Sequence, residues 1–325
     1  MKVVITSRDF SGPSPEVMDW FKEQGVEVVD LSEAGFGSKT TDEEMINAIG
    51  DADGLINAIE KASEAVFRAC PNLKYVSRRG VGLDSVDVEY CKAHGIKVAR
   101  AKGTIESAVG EGVMAYILHF ARRLDLQNES MQKGIWQRIF VKGAKGSTLG
   151  LVGYGALGHE VARRAAAFDM KIVYNRKNPS QEELEGKPDE YGACYRTLDD
   201  LLSESDYTCV CVPLNDETVH LINREFVSKM KDGSVLINVA RGKVGDETAI
   251  LEGLESGKLS GAAIDVFEKE PCTDSKLIGA PNCILTPHST SVTLENFKAS
   301  NWLAAKNIVG MMKGEPIEEK CWVVR

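Results

Sequence analysis

The 325-residue chain is long enough for about two domains, and a core of that size needs no disulfide or metal staple. Lys and Arg number 39 against 48 Asp and Glu, a net charge of −9, which argues against a bulk-charge clamp on nucleic acid. Apolar residues at 43% and charged residues at 27% exclude wholesale disorder, and no run approaches the roughly 20 apolar residues of a membrane span.

The opening Met1-Lys2-Val3-Val4-Ile5-Thr6 reads as a strand rather than a secretory signal. The eight cysteines contain no CxxC pair. Cys209 and Cys211 lie two apart in an apolar run, which puts both on one face of a buried strand. Reduced thiols, a cytoplasmic location and no metal are expected.

Strand-like runs at Lys2–Thr6, Val26–Asp30, Gly54–Asn57, Leu73–Ser77 and Ile96–Ala99 alternate with helical spacing at Ser14–Glu23, Thr41–Ile49, Glu64–Cys70 and Ser85–His94. Thr41-x-x-Glu44 fits a capping box. Such alternation predicts a parallel sheet covered by helices on both faces. Ile105–Leu124 is a longer helical run, and Gly134–Ser147 reads as a linker. Strands then recur at Thr148–Val152, Lys171–Tyr174, Tyr207–Val212, Val235–Val239, Gly261–Ile264 and Cys283–Thr286. Helices are predicted at Leu157–Phe168, Leu198–Ser203, Arg224–Met230, Glu247–Glu255 and Thr293–Met312. The fold class is therefore α/β with two domains.

Thr148–Val152 runs into Gly153-Tyr154-Gly155-Ala156-Leu157-Gly158, followed by a helix. In that context the GxGxxG pattern predicts a pyrophosphate seat at a helix N-terminus. The next strand ends at Asn175-Arg176-Lys177. Asn175 stands where an NAD site carries a carboxylate, and Arg176 with Lys177 supplies charge for a 2′-phosphate. NADP(H) is the expected preference, with NAD(H) as the alternative dinucleotide.

Three later strands end in polar residues: Arg241 after Val235–Val239, Asp265 after Gly261–Ile264 with Glu270 beyond it, and His288 after Cys283–Thr286. If these strands are parallel, Arg241, Asp265 and His288 share one rim with the glycine loop. A cation, a histidine and a carboxylate together suit hydride transfer to a carbonyl, with the histidine as acid/base. Each residue also has a structural reading alone: a core histidine, an ion-paired arginine, a turn-capping Asp265 and a solvated Glu270.

At these residues the chain resembles the D-isomer-specific 2-hydroxyacid dehydrogenase family, over nearly its full length. The resemblance rests on Gly153–Gly158, Asn238–Gly242, Asp265–Pro271, Thr286-Pro287-His288, Val212–Thr218 and Gly80–Asp87. It implies two Rossmann-like domains with parallel sheets: a flavodoxin-like substrate domain (1–100 plus 291–325) and a dinucleotide-binding domain (101–290). It implies catalytic roles for Arg241 (substrate carboxylate and carbonyl), His288 (proton donor) and Glu270 (holding His288 charged). The implied substrate-side residues are Val81 and Gly82. Arg79, beside that turn, either adds positive charge for a second anionic group or points to solvent. On the cofactor side it implies Gly153, Gly155, Ala156, Leu157, Gly158, Asn175, Arg176, Lys177, Val212, Pro213, Thr218, Val239, Ala240 and, at the nicotinamide carboxamide, Asp265.

Two stretches depart from the family pattern, Arg100-Ala101-Lys102 and Ser289-Thr290-Ser291, so substrate choice does not transfer from a relative. The expected function is NADPH-linked reduction of a small 2-oxo acid to a D-2-hydroxy acid, with hydroxypyruvate, glyoxylate or a sugar-derived 2-keto acid as substrate. The family's 3-phosphoglycerate dehydrogenases are the alternative. They often carry a further regulatory domain, which the residues after Met312 do not supply. A binding protein of another class, a dinucleotide-sensing corepressor, shares the fold. A homodimer is expected from the family's use of the Ile105–Leu124 helix, and neither nucleic acid nor a membrane is expected as partner.

Overall fold

The computed structural model describes all 325 residues. The first part contains β1 (Lys2–Ile5), α1 (Pro15–Glu23), β2 (Glu27–Asp30), α2 (Asp42–Ile49), β3 (Gly54–Asn57), α3 (Glu64–Ala69), β4 (Tyr75–Arg78), α4 (Val88–His94) and β5 (Lys97–Arg100). Next come α5 (Glu106–Arg122), α6 (Leu124–Gln132), β6 (Thr148–Val152), α7 (Ala156–Ala167), β7 (Lys171–Asn175), α8 (Gln181–Leu184) and β8 (Cys194–Tyr195). They are followed by α9 (Leu198–Glu204), β9 (Tyr207–Val210), α10 (Arg224–Lys229), β10 (Ser234–Asn238), α11 (Glu247–Glu255), β11 (Leu259–Ile264) and β12 (Cys283–Leu285). The chain closes with α12 (Leu294–Lys313) and β13 (Trp322–Val324). No helix is long and apolar enough to cross a membrane.

Two compact units result, Met1–Ile105 with Val292–Arg325, and Glu106–Ser291. In the first, the sheet order is β13-β5-β4-β3-β1-β2. All its pairings are parallel except that of β13 with β5. The capping box at Thr41 and Glu44 forms as its spacing predicts. Helix α12 packs on β3, β4 and β5. Ser77 donates to the Ala304 carbonyl at 2.9 Å, and Ile308, Val309, Ala304 and Ala305 join the core formed by Val3, Ile5, Phe21 and Ile56.

The second unit has the order β12-β11-β10-β9-β6-β7-β8, all parallel. Its strands bury both faces, which is why they read as continuous apolar runs rather than alternating ones. Leu149, Leu151, Cys209, Val235 and Ile237 face α5 and α7, whereas Val210, Leu236, Ala262 and Ile264 pack with residues of α9, α10 and α11. Each buried Leu, Val or Ile among them contributes about 1.5–3 kcal/mol. The strand order reverses between β6 and β9. In an open parallel sheet a ligand crevice opens at that point, beyond the carboxyl ends of the strands.

Several elements depart from the sequence reading, the short helix α8 among them. The single helix expected at Ile105–Leu124 ends at Arg122, because Arg123 turns left-handed (φ +45°) and α6 restarts at Leu124. The short strand β8 and the closing strand β13 were not expected.

Candidate active site

The glycine loop leaves β6 at the reversal of strand order. Gly153 has φ +101°, and a Cβ there would lie 3.0 Å from the Cys211 backbone, so both conformation and close approach require glycine. Cys211 lies just past β9, and its thiol donates to the Gly153 carbonyl at 3.0 Å. Gly155 is the N-cap of α7, and no side chain caps that helix. A Cβ at Gly155 would meet nothing within 4 Å, so the space above the first amides of α7 is open. Free N–H groups, the positive end of a 12-residue helix and open space fit a pyrophosphate. Ala156 and Leu157 form the first turn of α7, and Gly158 packs under the loop.

On one side of this loop, Asn175 ends β7. Its side-chain amide donates to the Arg196 carbonyl at 2.9 Å, and its own carbonyl accepts from the Gly153 N–H at 2.9 Å. Arg176 lies 3.7 Å from Glu183, and Lys177 is paired to both oxygens of Glu217 at 2.6 and 2.7 Å. On the other side, the loop after β9 carries Val212 and Pro213. Thr218 braces that loop, donating to the Pro213 carbonyl at 2.7 Å and accepting from the Asn215 N–H at 2.8 Å.

Because β10, β11 and β12 are adjacent and parallel, Arg241, Asp265 and His288 follow three neighbouring carboxyl ends. Val239 and Ala240 are buried between β10 and Arg241. Arg241 is partly exposed, and its guanidinium donates to the Ala240 carbonyl at 2.8 Å. Gly242 follows, and a Cβ there would stand 1.7 Å from the Phe267 carbonyl oxygen. The arginine's turn is thereby pressed against the loop that carries Glu270.

His288 Nδ1 lies 2.8 Å from Glu270 Oε2, while Glu270 Oε1 accepts from the Phe267 N–H at 3.0 Å. Burial alone would raise the Glu270 carboxyl. The His288 hydrogen bond and charge, the Phe267 N–H and the Arg241 charge outweigh it and hold the group below its usual value. His288 adopts φ +51°, uncommon for a non-glycine residue, and its N–H donates to the carbonyls of Asp265 at 2.8 Å and Thr286 at 2.9 Å. With Nδ1 engaged by the carboxylate, Nε2 is the nitrogen left for a substrate.

Asp265 is 3% exposed and turned inward. Its Oδ1 accepts from the Thr286 hydroxyl at 2.6 Å and the Ser289 N–H at 2.8 Å, and Thr290 N–H lies 3.2 Å from both oxygens. Tyr116 of α5 reaches the same group, 2.6 Å from the Thr286 hydroxyl and 2.8 Å from that of Thr290. The carboxylate therefore fixes the loop on both sides of His288. Tyr116, Thr286 and Thr290 were not among the sequence-derived site residues. The departure at Ser289-Thr290-Ser291 was the one local signal, and Thr290 fills it with a hydroxyl that Tyr116 binds.

In the first unit, Val81 and Gly82 form the turn after β4, and the Val81 carbonyl accepts from Arg100 at 3.0 Å. Arg79 is partly buried within its own unit. The guanidinium stacks on Phe297 at 4.4 Å and donates to Asn301 at 3.4 Å, both on α12. Burial pulls it down to about 10, against the opposing charges of Glu60 and Asp9, so it stays cationic at neutral pH.

Comparison with known proteins agrees with this architecture. Residues 114–290 match the family described as D-isomer specific 2-hydroxyacid dehydrogenase, NAD binding domain. A glyoxylate reductase of Pyrococcus furiosus is 36% identical over 286 residues, covering 84% of this chain and 83% of the relative. A hydroxypyruvate reductase of Thermotoga maritima is 40% identical over 259 residues, covering 78% of this chain and 82% of its own. The crystal structure of the TT0316 protein from Thermus thermophilus aligns over 100% of both chains with TM-score 0.86 and 31% identity. A parallel dinucleotide-type sheet, an open glycine loop and these likenesses agree: the chain belongs to the D-isomer-specific 2-hydroxyacid dehydrogenase family of NAD(P)-dependent oxidoreductases.

Proposed function

We propose that this enzyme is an NADPH-preferring reductase of hydroxypyruvate, glyoxylate or a sugar-derived 2-keto acid, yielding the D-2-hydroxy acid. The observation that carries the chemistry is the His288–Glu270 pair at 2.8 Å on the rim that also presents Arg241. The Arg241 guanidinium binds the substrate carboxylate and polarises the ketone. His288 Nε2 delivers a proton to the ketone oxygen, and Glu270 keeps the imidazolium favoured and the ring oriented. The dinucleotide, when bound, supplies the hydride. Asp265 positions His288 through the loop hydrogen bonds described above. Asn175, which removes the ribose carboxylate, and the cations Arg176 and Lys177 support the NADPH preference.

Paired initial rates test this reading, following NADPH and NADH with glyoxylate, hydroxypyruvate and 3-phosphohydroxypyruvate. The expected result is a kcat/KM at least about ten-fold higher with NADPH, on an unphosphorylated acid, since one charge-assisted phosphate contact is worth about 1.5–3 kcal/mol. Preference for NADH with the phosphorylated acid overturns it.

We further propose a homodimer. Helix α6 buries no residue, and Leu124, Leu126, Met131, Ile135, Trp136 and Phe140 are exposed along one continuous segment, Trp136 by 80%. Large apolar side chains left exposed at this density along one segment suit an association face, and a second copy satisfies it by two-fold symmetry. Sedimentation velocity is expected to give a dimer for the native protein and a monomer for Trp136→Glu/Phe140→Glu. A native monomer at micromolar concentration rejects the proposal.

A further inference from the structure

We propose that the Lys177–Glu217 ion pair is a strap across the adenosine end of the dinucleotide crevice, and that Glu217 tunes cofactor choice by competing with a 2′-phosphate for the Lys177 ammonium. This deepens the NADPH reading and rests on it.

In the sheet, β6 lies between β7 and β9. Neighbouring strands are about 4.8 Å apart, so the ends of β7 and β9 stand roughly 10 Å from one another with the glycine loop between them. Lys177 lies just past β7, and Glu217 lies in the loop that follows β9. Their side chains meet with the ammonium on both carboxylate oxygens, at 2.6 and 2.7 Å. The pair joins the two walls of the crevice over the end of β6. A dinucleotide seated on the Gly155 end of α7 must open this pair or thread beneath it.

The two cations beside Asn175 are held differently. Arg176 is 3.7 Å from Glu183. That carboxylate is already fixed by the Ser180 N–H at 2.6 Å and the Tyr174 hydroxyl at 2.7 Å, in the capping box of α8. Glu183 therefore orients Arg176 without saturating it. Lys177 and Glu217 are 71% and 67% exposed, so their pair is a screened surface contact. Opening such a pair costs less than about five-fold in an equilibrium constant.

Charge decides which ligand opens it at least cost. A 2′-phosphate carries about −1.5 to −2 charge and three acceptor oxygens, as phosphate monoesters do. It replaces the carboxylate as partner of Lys177, whereas a 2′-hydroxyl leaves the ammonium unpaired or tied to Glu217. The competitor stays at the rim, because its backbone is anchored: the Glu217 N–H donates to Asn215 Oδ1 at 3.0 Å. Its carboxylate then stands near the incoming phosphate and opposes it.

The test measures dissociation constants of NADPH, NADH, 2′,5′-ADP and 5′-AMP for native enzyme, Glu217→Gln and Lys177→Met, with melting temperatures as a fold control. Glu217→Gln is expected to tighten NADPH and 2′,5′-ADP about three- to five-fold and to leave NADH and 5′-AMP within about two-fold. Lys177→Met is expected to weaken only the two 2′-phosphate ligands, about ten-fold. Weaker NADH and 5′-AMP in Glu217→Gln would mean that Glu217 holds the ribose, and this overturns the proposal. An equal shift in all four ligands, or no shift, overturns it as well. If the native enzyme prefers NADH while Glu217→Gln still favours the 2′-phosphate ligands, the NADPH reading fails and the strap stands. If native preference is for NADPH and Glu217→Gln changes nothing, the strap alone fails.

Discussion

His288→Asn is expected to lower kcat for 2-oxo acid reduction by about 10²–10⁴-fold while leaving dinucleotide affinity unchanged. The replacement is chosen for the backbone. His288 sits at φ +51°, and asparagine is among the few residues that occupy that region readily. The N–H bonds from residue 288 to the Asp265 and Thr286 carbonyls do not use the side chain and survive. What disappears is the titrating ring. Glu270→Gln separates proton delivery from simple packing. A neutral amide keeps a hydrogen bond near Nδ1 but removes the carboxylate that meets the ring at 2.8 Å. kcat for reduction should then fall about ten-fold, the difference between a charge-assisted and a neutral hydrogen bond, with dinucleotide affinity unchanged. Near-native kcat in Glu270→Gln, or in His288→Asn, would remove these residues from the chemistry.

The same pair bears on acid stability. The Glu270 carboxyl is held below its usual value in the folded protein. Its contribution is therefore present above the unfolded carboxyl range, and it is lost as pH falls through the folded value. A glutamine at 270 removes that part of the pH dependence.

Much of the site was readable because local pattern carries it. A strand, a glycine loop and a helix follow one another without a gap at Thr148–Ala167, where Gly153 and Gly158 have a local steric reason and Gly155 leaves the helix end open. The common rim of Arg241, Asp265 and His288 follows from strand direction alone once β10, β11 and β12 are parallel. Partner choice was less legible, because it depends on residues far apart in the chain. Tyr116 meets Thr286 and Thr290 across about 170 residues, and no periodicity points to that meeting. Arg79 lies beside a glycine turn, and nothing local points to the ring of Phe297, more than 200 residues later, on which its guanidinium stacks. Arg176 and Lys177 read as two equivalent cations, whereas one faces a fixed carboxylate and the other an exchangeable one. The break at Arg123 escaped notice because apolar residues continue past it, and those residues are exposed rather than buried.

Gly242→Ala is the second large effect, and it acts through geometry rather than charge. A Cβ at residue 242 would lie 1.7 Å from the Phe267 carbonyl oxygen, 1.8 Å from its carbon and 2.5 Å from the Glu268 nitrogen. These are backbone atoms, so no side-chain rotation relieves the clash, and one of the two loops must shift by more than about 1 Å. Arg241 moves with the first loop. The second carries Phe267, whose N–H holds Glu270 Oε1 at 3.0 Å, and through Glu270 the shift reaches His288. A displacement of that size costs about 10²-fold in rate even where every reacting group is retained. Overpacking against backbone should also destabilise the fold by about 3 kcal/mol, lowering Tm by about 6–12 °C for a unit of this size. Gly12→Ala serves as the control, because a Cβ there meets nothing within 4 Å. If Gly242→Ala keeps native kcat/KM, the close contact does not hold Arg241 and Glu270 in register. If it melts early yet keeps its rate per folded molecule, the contact supports the fold alone. The expected outcome is loss of both, with rate falling further than the folded fraction.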